Sequence, residues 1–337
     1  MVSVIAKSSL PLADRRRVLV EAPARLHMGF LDLGGSLGRK FGGIGVGINE
    51  IVTRLTLEHT RELEVAGPDA ARARKAAQAL STALGRPLPA RIHIETAIPH
   101  HAGLGSGTQM ALAVGLGLSR LHGLGLNVVD VAATIGRGAR SGIGIAVFDQ
   151  GGLVVDAGRG ERTRIPPVIA RLAMPADWRF LIVLDHNDQG LHGAQEIQAF
   201  RELPVFPVEE AARLCHLLLM RGLPAVVEED IEAFGEVIAA LQAAVGDHFA
   251  PAQGGRFTSP RVSAALGLLS GRGAVGIGQS SWGPTGFCLV ESRETAEDLR
   301  NEVLQQLSPG HSLEFLIGTP RQRGAEIREL SANSDGT

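Results

Sequence analysis

Tyrosine is absent from this chain, and other aromatic residues and cysteine are scarce, with 11 phenylalanines, two tryptophans and two cysteines. Cys215 and Cys288 are too few for a disulfide framework or a cysteine metal site, so we expect both to be buried thiols. An excess of one charge is also missing, since 33 lysines and arginines stand against 35 acidic residues. This balance argues against a nucleic-acid or membrane-surface binder, which would carry a basic excess.

No apolar run is long enough to span a bilayer, and residues 1–14 lack the continuous apolar stretch of a signal peptide. Apolar residues nevertheless make up 45% of the chain, which is ample for a hydrophobic core. We therefore expect a cytoplasmic protein that binds neither membranes nor nucleic acid. Its 337 residues suit one large domain or two of ordinary size.

Glycine, by contrast, is abundant with 43 residues, and one glycine-rich stretch organises the middle of the sequence. Residues 90–98 alternate apolar and polar side chains, as a half-buried strand does, and a proline follows them. Glycines then occupy every second position over residues 103–107, and later apolar residues recur at helical spacing, which predicts a helix beginning near Ser106. A strand, a glycine loop and a helix N-terminus can form an anion site, because free backbone N–H groups and the helix dipole favour negative charge there.

This loop matches neither standard nucleotide-binding motif. The chain has no Gly-x-x-x-x-Gly-Lys-Ser/Thr sequence, which argues against a P-loop, and the 103/105/107 spacing differs from the Gly-x-Gly-x-x-Gly of a Rossmann fold. A plain structural turn between strand and helix is the alternative interpretation of the loop alone.

Two further stretches stand out. Residues 23–35 follow a predicted first strand over residues 18–22 and are expected to form a turn-rich segment. Residues 276–291 form a second glycine- and serine-rich loop that leads into a strand. Prolines and polar residues cluster over residues 159–175, where we expect a domain change. The order of strands and helices predicts a two-domain α+β protein with a site in the cleft between its halves.

Residues 23–35, 99–111 and 276–287 together resemble the three motifs of the GHMP small-molecule kinase superfamily, in the right order and spacing. The resemblance spans nearly the whole chain. It implies an N-terminal domain over residues 1–165 similar to domain 2 of ribosomal protein S5, with the glycine loop as its phosphate loop. It also implies a ferredoxin-like C-terminal domain over residues 166–330, followed by a frayed tail at residues 331–337.

The sequence departs from the kinase pattern at several positions. In the mevalonate-kinase branch an aspartate acts as base on the accepting hydroxyl, whereas the matching position here is Gly144, which can neither orient nor deprotonate a hydroxyl. The central loop has Gly107 and Thr108 where the kinases have serine and alanine. The second glycine- and serine-rich loop, called the late loop below, has Gln279 to Trp282 where the kinases usually have smaller residues.

These departures, with residues 24–35, 41–45, 190–193 and 278–285, resemble the β-ribofuranosylaminobenzene 5′-phosphate synthase family, which keeps the GHMP fold without being kinases. The resemblance implies that the chain condenses phosphoribosyl pyrophosphate with 4-aminobenzoate or 4-hydroxybenzoate, forming a C-riboside in tetrahydromethanopterin biosynthesis. Carbon dioxide and pyrophosphate would be released, Mg²⁺ would be required as cofactor, and the expected assembly is a homodimer. The residues leave the choice between the amino and the hydroxyl acceptor open.

The resemblance also implies site residues in the first half of the chain. Arg25 would grip the 5′-phosphate or the benzoate carboxylate, with a surface salt bridge as the alternative. His27 would act as an acid or an orienting donor, or be structural. Asp32 would coordinate Mg²⁺ or stabilise the oxocarbenium ion, or cap a turn. Phosphate would be held by the glycine loop, whose members are Gly103, Leu104, Gly105, Ser106, Gly107 and Thr108.

Other candidate site residues lie outside the glycine loop. Arg39 and Lys40 are candidate phosphate ligands, although exposed basic pairs usually face solvent. His186 and His192 are candidates to reach the cleft from their loop, without the clustered ligands of a zinc site. From the C-terminal side, the pocket would be closed by Gln279, Ser280 and Ser281, and Trp282 would flank the aromatic ring.

Two other functions remain open from the sequence. The first is an ATP-dependent GHMP kinase acting on a small alcohol, because some members of the superfamily work without the aspartate. The second is a non-catalytic sensor on the same fold, which would bind a nucleotide or sugar phosphate without turnover.

Overall fold

The computed structural model describes residues 16–190, 193–308 and 310–330, so the expected frayed tail lies outside the described residues. Within these ranges the strands are β1 (Arg17–Asp32), β2 (Phe41–Glu58), β3 (Glu64–Ala66), β4 (Arg91–Thr96), β5 (Leu153–Asp156), β6 (Val168–Leu172), β7 (Arg179–Asp185), β8 (Val275–Gln279), β9 (Gly286–Val290), β10 (Leu313–Gly318) and β11 (Glu326–Leu330).

The helices of the same ranges are α1 (Ala70–Ala83), α2 (Ser106–Leu121), α3 (Val128–Thr134), α4 (Ile143–Gln150), α5 (Ala194–Glu202), α6 (Val208–Leu217), α7 (Leu223–Val227), α8 (Ile231–Gln253), α9 (Pro260–Ser270) and α10 (Arg293–Gln306). One π-helical turn, Leu218–Gly222, joins α6 to α7. The mixture of sheets and helices confirms the predicted α+β class.

The first sheet is built on the long antiparallel pair of β1 and β2. Its strands lie in the order β11-β1-β2-β4-β3, and β5 pairs with the other end of β2 and with β6. The prediction that residues 23–35 leave the first strand as turns is wrong, because β1 continues to Asp32. Register shifts between Pro23 and Ala24, and between His27 and Gly29, absorb the proline and the glycine without ending the strand.

Helix α2 begins at Ser106, as the spacing predicts, and most of its length is buried. Two glycines of α2 let it pack closely against β2 and α3. A Cβ at Gly117 would lie 2.4 Å from the Leu57 side chain, and one at Gly115 would lie 2.4 Å from the Val131 side chain. Packing against β2 and α3 therefore fixes the position of the α2 N-terminus, where the glycine loop ends.

The second sheet has four antiparallel strands in the order β10-β7-β9-β8. Numbered within this sheet, that order is fourth-first-third-second, with helices between β7 and β8 and between β9 and β10, as in a ferredoxin-like unit. The expected ferredoxin-like C-terminal half is thus confirmed. However, β6 and β11 join the first sheet although both follow residue 165, so the chain crosses between the two layers more than once.

The two cysteines differ in environment. Cys288 is buried in β9, and burial raises the pKa of its thiol to about 12. Cys215 on α6 is exposed, so the expectation of two buried thiols is wrong for that residue, which lies on the solvent side of the helix. No helix in the described part of the chain is both long and apolar enough to cross a membrane.

Asp185, at the end of β7, links this strand by hydrogen bonds to the start of α9 and to the residue before β10. Its buried carboxylate accepts hydrogen bonds from the hydroxyls of Ser259 at 2.6 Å and Ser312 at 2.7 Å, and from Arg261 Nε at 2.9 Å. Burial alone would raise the pKa of Asp185, but these hydrogen bonds outweigh burial and lower it. Ser259 is also the N-cap of α9, so the network fixes that helix to the sheet.

We predict that Asp185→Asn lowers the free energy of unfolding by about 3 kcal/mol at neutral pH, because a buried charge network loses its acceptor. Since the folded pKa lies below the unfolded value of about 3.9, the ionised group stabilises the fold above that pH and its contribution is lost as pH falls further. Urea unfolding at neutral and acidic pH measures this. The difference from wild type should shrink in acid, and the exposed Asp298→Asn should show neither effect.

Candidate active site

A cavity of about 340 Å³ lies where the two halves of the chain meet. Its walls come from β1, the glycine loop with the first turn of α2, the segment of residues 136–141 between α3 and α4, helix α5, and the loop after β8. The cleft between halves that the sequence predicts is therefore present. All three stretches that carry the family resemblance contribute to its lining.

The backbone conformation and close packing of the glycine loop require glycine at two positions. Gly103 and Gly105 have φ angles of +77° and +82°, in the left-handed region that favours glycine. A Cβ at Gly103 would lie 2.2 Å from the carbonyl oxygen of Ser280. Among the described residues the N–H groups of Ser106 and Gly107 have no hydrogen-bond acceptor, so the start of α2 presents free donors to the cavity.

Arg25 lies half-buried beneath this loop. Its guanidinium donates to the carbonyl oxygen of Gly103, and its backbone N–H donates to that of Leu104 at 3.1 Å. Burial lowers the pKa of Arg25 to about 10, partly opposed by the negative charge of Glu196, so it stays charged at neutral pH. Arg25 lines the cavity, whereas the Leu104 side chain is buried in the core.

His27 lines the cavity and is only 3% exposed, and the centroids of its ring and that of Phe30 are 4.4 Å apart. Burial, with the nearby charge of Arg25, lowers its pKa to about 3. The imidazole is therefore neutral at physiological pH, and its Nε2 has no hydrogen-bond partner among the described residues. Of the two roles expected from the sequence, a neutral ring fits an orienting group better than an acid.

The late loop divides into a supporting part and a lining part. The Ser280 hydroxyl accepts from the His27 N–H at 3.0 Å and donates to the Gly103 carbonyl at 2.7 Å. Gln279 is buried behind it, where its Oε1 accepts from the Thr258 N–H at 2.7 Å. Ser281 and Trp282 lie on the cavity wall itself.

Trp282 belongs to an aromatic cluster, which we define as Phe30, Phe41, Phe200, Phe249 and Trp282. The Trp282 ring stacks on Phe249 with centroids 4.0 Å apart, and Phe200 meets it edge-on at 5.4 Å. Phe30 and Phe41 pack beside Phe200. Because Phe249 covers one face of Trp282, only the rest of the indole is available to a ligand. The buried Trp282 Nε1 makes no hydrogen bond of normal geometry within the described ranges, but it lies close enough to Glu196 to lower the pKa of that carboxyl.

Three charged residues of the cavity were missed by the sequence interpretation. Arg140 pairs with Glu196 at 2.8 Å, and its guanidinium lies over the Phe200 ring at 5.4 Å from the centroid. Arg137 lies beside Gly107, where an added Cβ would be 3.7 Å from its nearest nitrogen. Burial and the neighbouring charge of Arg72 lower the pKa of Arg137. The only sequence signal was two arginines within the glycine-rich residues 136–144.

Several predicted residues do not reach the cavity. The Asp32 carboxylate accepts from the N–H groups of Gly34 and Gly35, both at 2.8 Å, which is the turn-capping alternative. Arg39 donates to the carbonyl oxygens that follow β5. The Lys40 N–H pairs with the Arg159 carbonyl at 2.9 Å. His186 is exposed and bonds Glu314, and His192 lies outside the described residues.

Gly144, where the kinase resemblance places an aspartate, lies in the first turn of α4. Its carbonyl accepts from Gln109 Nε2 at 2.7 Å. A Cβ at this position would lie 3.4 Å from the Thr108 methyl group, which is ordinary contact, so packing does not demand glycine here. Asp149, in the last turn of α4, does not line the cavity. Among the described lining residues, Glu196 carries the only carboxylate.

The sequence profiles of the GHMP kinases N terminal domain and the GHMP kinases C terminal domain match residues 71–152 and 223–308. Among solved structures, homoserine kinase from Cytophaga hutchinsonii superposes with a TM-score of 0.64 at 16% identity, covering 96% of this chain and 100% of that one. Mevalonate diphosphate decarboxylase from Staphylococcus aureus gives a TM-score of 0.65 at 14% identity, covering 93% and 98%. The GHMP-kinase-like fold is thereby confirmed.

Similar proteins of named function identify the family within this superfamily. The β-ribofuranosylphenol 5′-phosphate synthase of Methanothermobacter thermautotrophicus is 31% identical over 330 residues, and that of Archaeoglobus fulgidus is 33% identical over 326 residues. Each match covers 91% of this chain and 98% of the relative. The chain belongs to the β-ribofuranosylphenol 5′-phosphate synthase family within the GHMP kinase superfamily, and it is an enzyme, a transferase.

We predict that the His27 ring stays neutral from about pH 8 down to pH 5, because its pKa in the folded chain is far below the ordinary value of about 6.5. Nitrogen chemical shifts of the imidazole, followed by NMR across this range, measure its protonation directly. The exposed His186 serves as the internal comparison. A His27 titration midpoint above about pH 6 would show that burial does not control this ring.

Proposed function

We propose that this enzyme condenses phosphoribosyl pyrophosphate with 4-hydroxybenzoate, releasing carbon dioxide and pyrophosphate and forming β-ribofuranosylphenol 5′-phosphate for tetrahydromethanopterin biosynthesis. The observation that supports the proposal is one cavity with free N–H and hydroxyl donors on one wall and aromatic rings with Arg140 on another. The relatives' name supports the hydroxyl acceptor, since a phenol product retains a hydroxyl group.

The start of α2 suits the diphosphate of phosphoribosyl pyrophosphate. The free N–H groups of Ser106 and Gly107 and the hydroxyls of Ser106 and Thr108 are donors at the positive end of the helix. Arg137 adds a guanidinium with no ion pair among the described residues. A diphosphate bound here would be neutralised by donors that are already in place.

Mg²⁺ is compatible with this wall. The described residues contain no cluster of three or more histidine, cysteine or acidic side chains that would hold a metal alone. Mg²⁺ is commonly bound through phosphate oxygens and water with one or two protein oxygens. The hydroxyls of Ser106 and Thr108, at the start of α2, are the groups of this wall able to supply them. When bound, the ion would neutralise the diphosphate and make it a better leaving group.

Arg25 suits the carboxylate of the aromatic acid or the 5′-phosphate, since a guanidinium group binds both with paired hydrogen bonds. Arg140 is already paired with Glu196. The aromatic cluster beside Arg140 provides an apolar surface for the benzoate ring. The cavity of about 340 Å³ falls within the range of small-molecule sites.

The reaction needs positioning rather than a protein nucleophile. As the diphosphate leaves, the anomeric carbon becomes oxocarbenium-like, and the ring carbon that bears the carboxylate attacks it. Loss of carbon dioxide then restores aromaticity. The protein holds the two reacting carbons together and stabilises the departing charge, so the absence of an aspartate at Gly144 is no obstacle.

Purified protein supplied with Mg²⁺, phosphoribosyl pyrophosphate and carboxyl-labelled 4-hydroxybenzoate is expected to release labelled carbon dioxide only when both substrates are present. Parallel reactions contain carboxyl-labelled 4-aminobenzoate, or ATP with small alcohols. Release that is faster with 4-aminobenzoate would contradict the hydroxyl acceptor. ATP consumption without carbon dioxide release would show that the protein is a kinase. Substrate binding without turnover in any reaction would favour a non-catalytic sensor.

Arg137→Ala is expected to raise the KM for phosphoribosyl pyrophosphate by about 10- to 100-fold, because a charge-assisted hydrogen bond to phosphate is worth about 1.5–3 kcal/mol. The KM for the benzoate should change little. Initial rates with each substrate varied in turn separate the two effects. The matched control is Arg162→Ala, which removes an exposed arginine. Equal changes in both KM values would place Arg137 elsewhere than at the diphosphate.

A further inference from the structure

Glu196 is held in an unusual position for a carboxylate. It lies on α5, only 20% exposed, and carries the single carboxylate among the described residues that line the cavity. Arg140 bonds it at 2.8 Å, and Phe200, one turn further along α5, packs edge-on against Trp282. Glu196 therefore lies where the aromatic cluster meets the cavity, at the end proposed for the benzoate.

We propose, on the basis of the proposed function, that Glu196 accepts the proton of the para hydroxyl group of the aryl substrate and returns it after decarboxylation. The Glu196 carboxylate would contact the hydroxyl directly, which makes it a catalytic residue. Arg140 would then be a positioning residue that holds the carboxylate toward the ring.

Proton removal at this position would assist carbon–carbon bond formation. As the O–H bond breaks, its electron pair moves into the ring, and the carbon para to the oxygen attacks the anomeric carbon while the bond to diphosphate breaks. The resulting dienone loses carbon dioxide, and the electrons of that carbon–carbon bond restore the phenolate. Glu196 returns the proton to the phenolate oxygen, so no oxidant, reductant or further co-reactant is needed.

The other lining groups are less suited to this role. The guanidinium groups of Arg25 and Arg140 are hydrogen-bond donors without an acceptor atom, and the His27 ring is neutral with an enclosed Nε2. His101 lies on the glycine loop rather than on the aromatic wall. Burial raises the pKa of Glu196, and that rise is opposed by the charge and hydrogen bond of Arg140, by the Trp282 indole and by the charge of Arg25. The carboxylate thus combines basicity with a fixed position.

The test compares Glu196→Gln with wild type, using Glu202→Gln, an exposed glutamate on the same helix, as the matched control. With 4-hydroxybenzoate at neutral pH, Glu196→Gln is expected to lower kcat by about 100-fold or more. Its kcat should rise as pH increases toward about 9, because the phenol of the substrate then ionises without a base. Wild-type kcat should be level over that range, and Glu202→Gln should behave as wild type.

A second aryl substrate tests the role of Glu196 as a base at a single pH. 3,5-Difluoro-4-hydroxybenzoate has a more acidic phenol, so the ratio of wild-type to Glu196→Gln kcat should shrink at least about tenfold relative to 4-hydroxybenzoate. Glu196→Asp, which keeps a carboxylate, should recover part of the activity. Melting temperatures of all variants establish that each is folded.

Two results would overturn the inference. One is a Glu196→Gln kcat within about threefold of wild type. The other is a large loss that is the same at every pH and for both acceptors, which would mean that Glu196 serves only as the partner of Arg140. Either result leaves the proposed function intact. That function fails separately if wild-type protein releases no carbon dioxide from the two substrates.

Discussion

The site depends on one buried hydroxyl that joins three distant parts of the chain. Ser280 accepts from the His27 N–H and donates to the Gly103 carbonyl, and the Arg25 guanidinium binds the same carbonyl. Each of these groups would be unsatisfied in an apolar interior without the others. The close approach is possible only because Gly103 has no Cβ and takes a positive φ. This junction holds the glycine loop and the loop after β8 at a fixed separation.

Charge in the cavity is arranged for anionic ligands. Among the described lining residues, Arg25, Arg137 and Arg140 accompany one carboxylate, Glu196, although the chain as a whole carries slightly more acidic than basic residues. A low-dielectric cleft strengthens the attraction for phosphate and carboxylate groups. A near-neutral protein can therefore have a locally basic cleft without being a general polyanion binder.

The few aromatic residues are also concentrated at the site. Four of the 11 phenylalanines and one of the two tryptophans form the aromatic cluster, on strands β1 and β2, helices α5 and α8 and the late loop. Phe30 and Trp282 line the cavity, and the other three rings pack against them and against one another. The scarcity of aromatics in the composition, taken alone, does not reveal this concentration.

The sequence alone determined the α+β class, the family, the helix that begins at Ser106 and the glycine loop, because these follow from local periodicity and from motifs of contiguous residues. It also singled out Arg25, His27, Ser281 and Trp282, which the structure brings to one cavity. Tertiary structure decided the remainder. Asp32 caps a turn instead of reaching the cavity, because its short side chain is bound by two local N–H groups. Arg137 and Arg140, from one segment, meet Glu196 from α5. Single charged residues have no sequence pattern that distinguishes a cavity wall from a solvated surface.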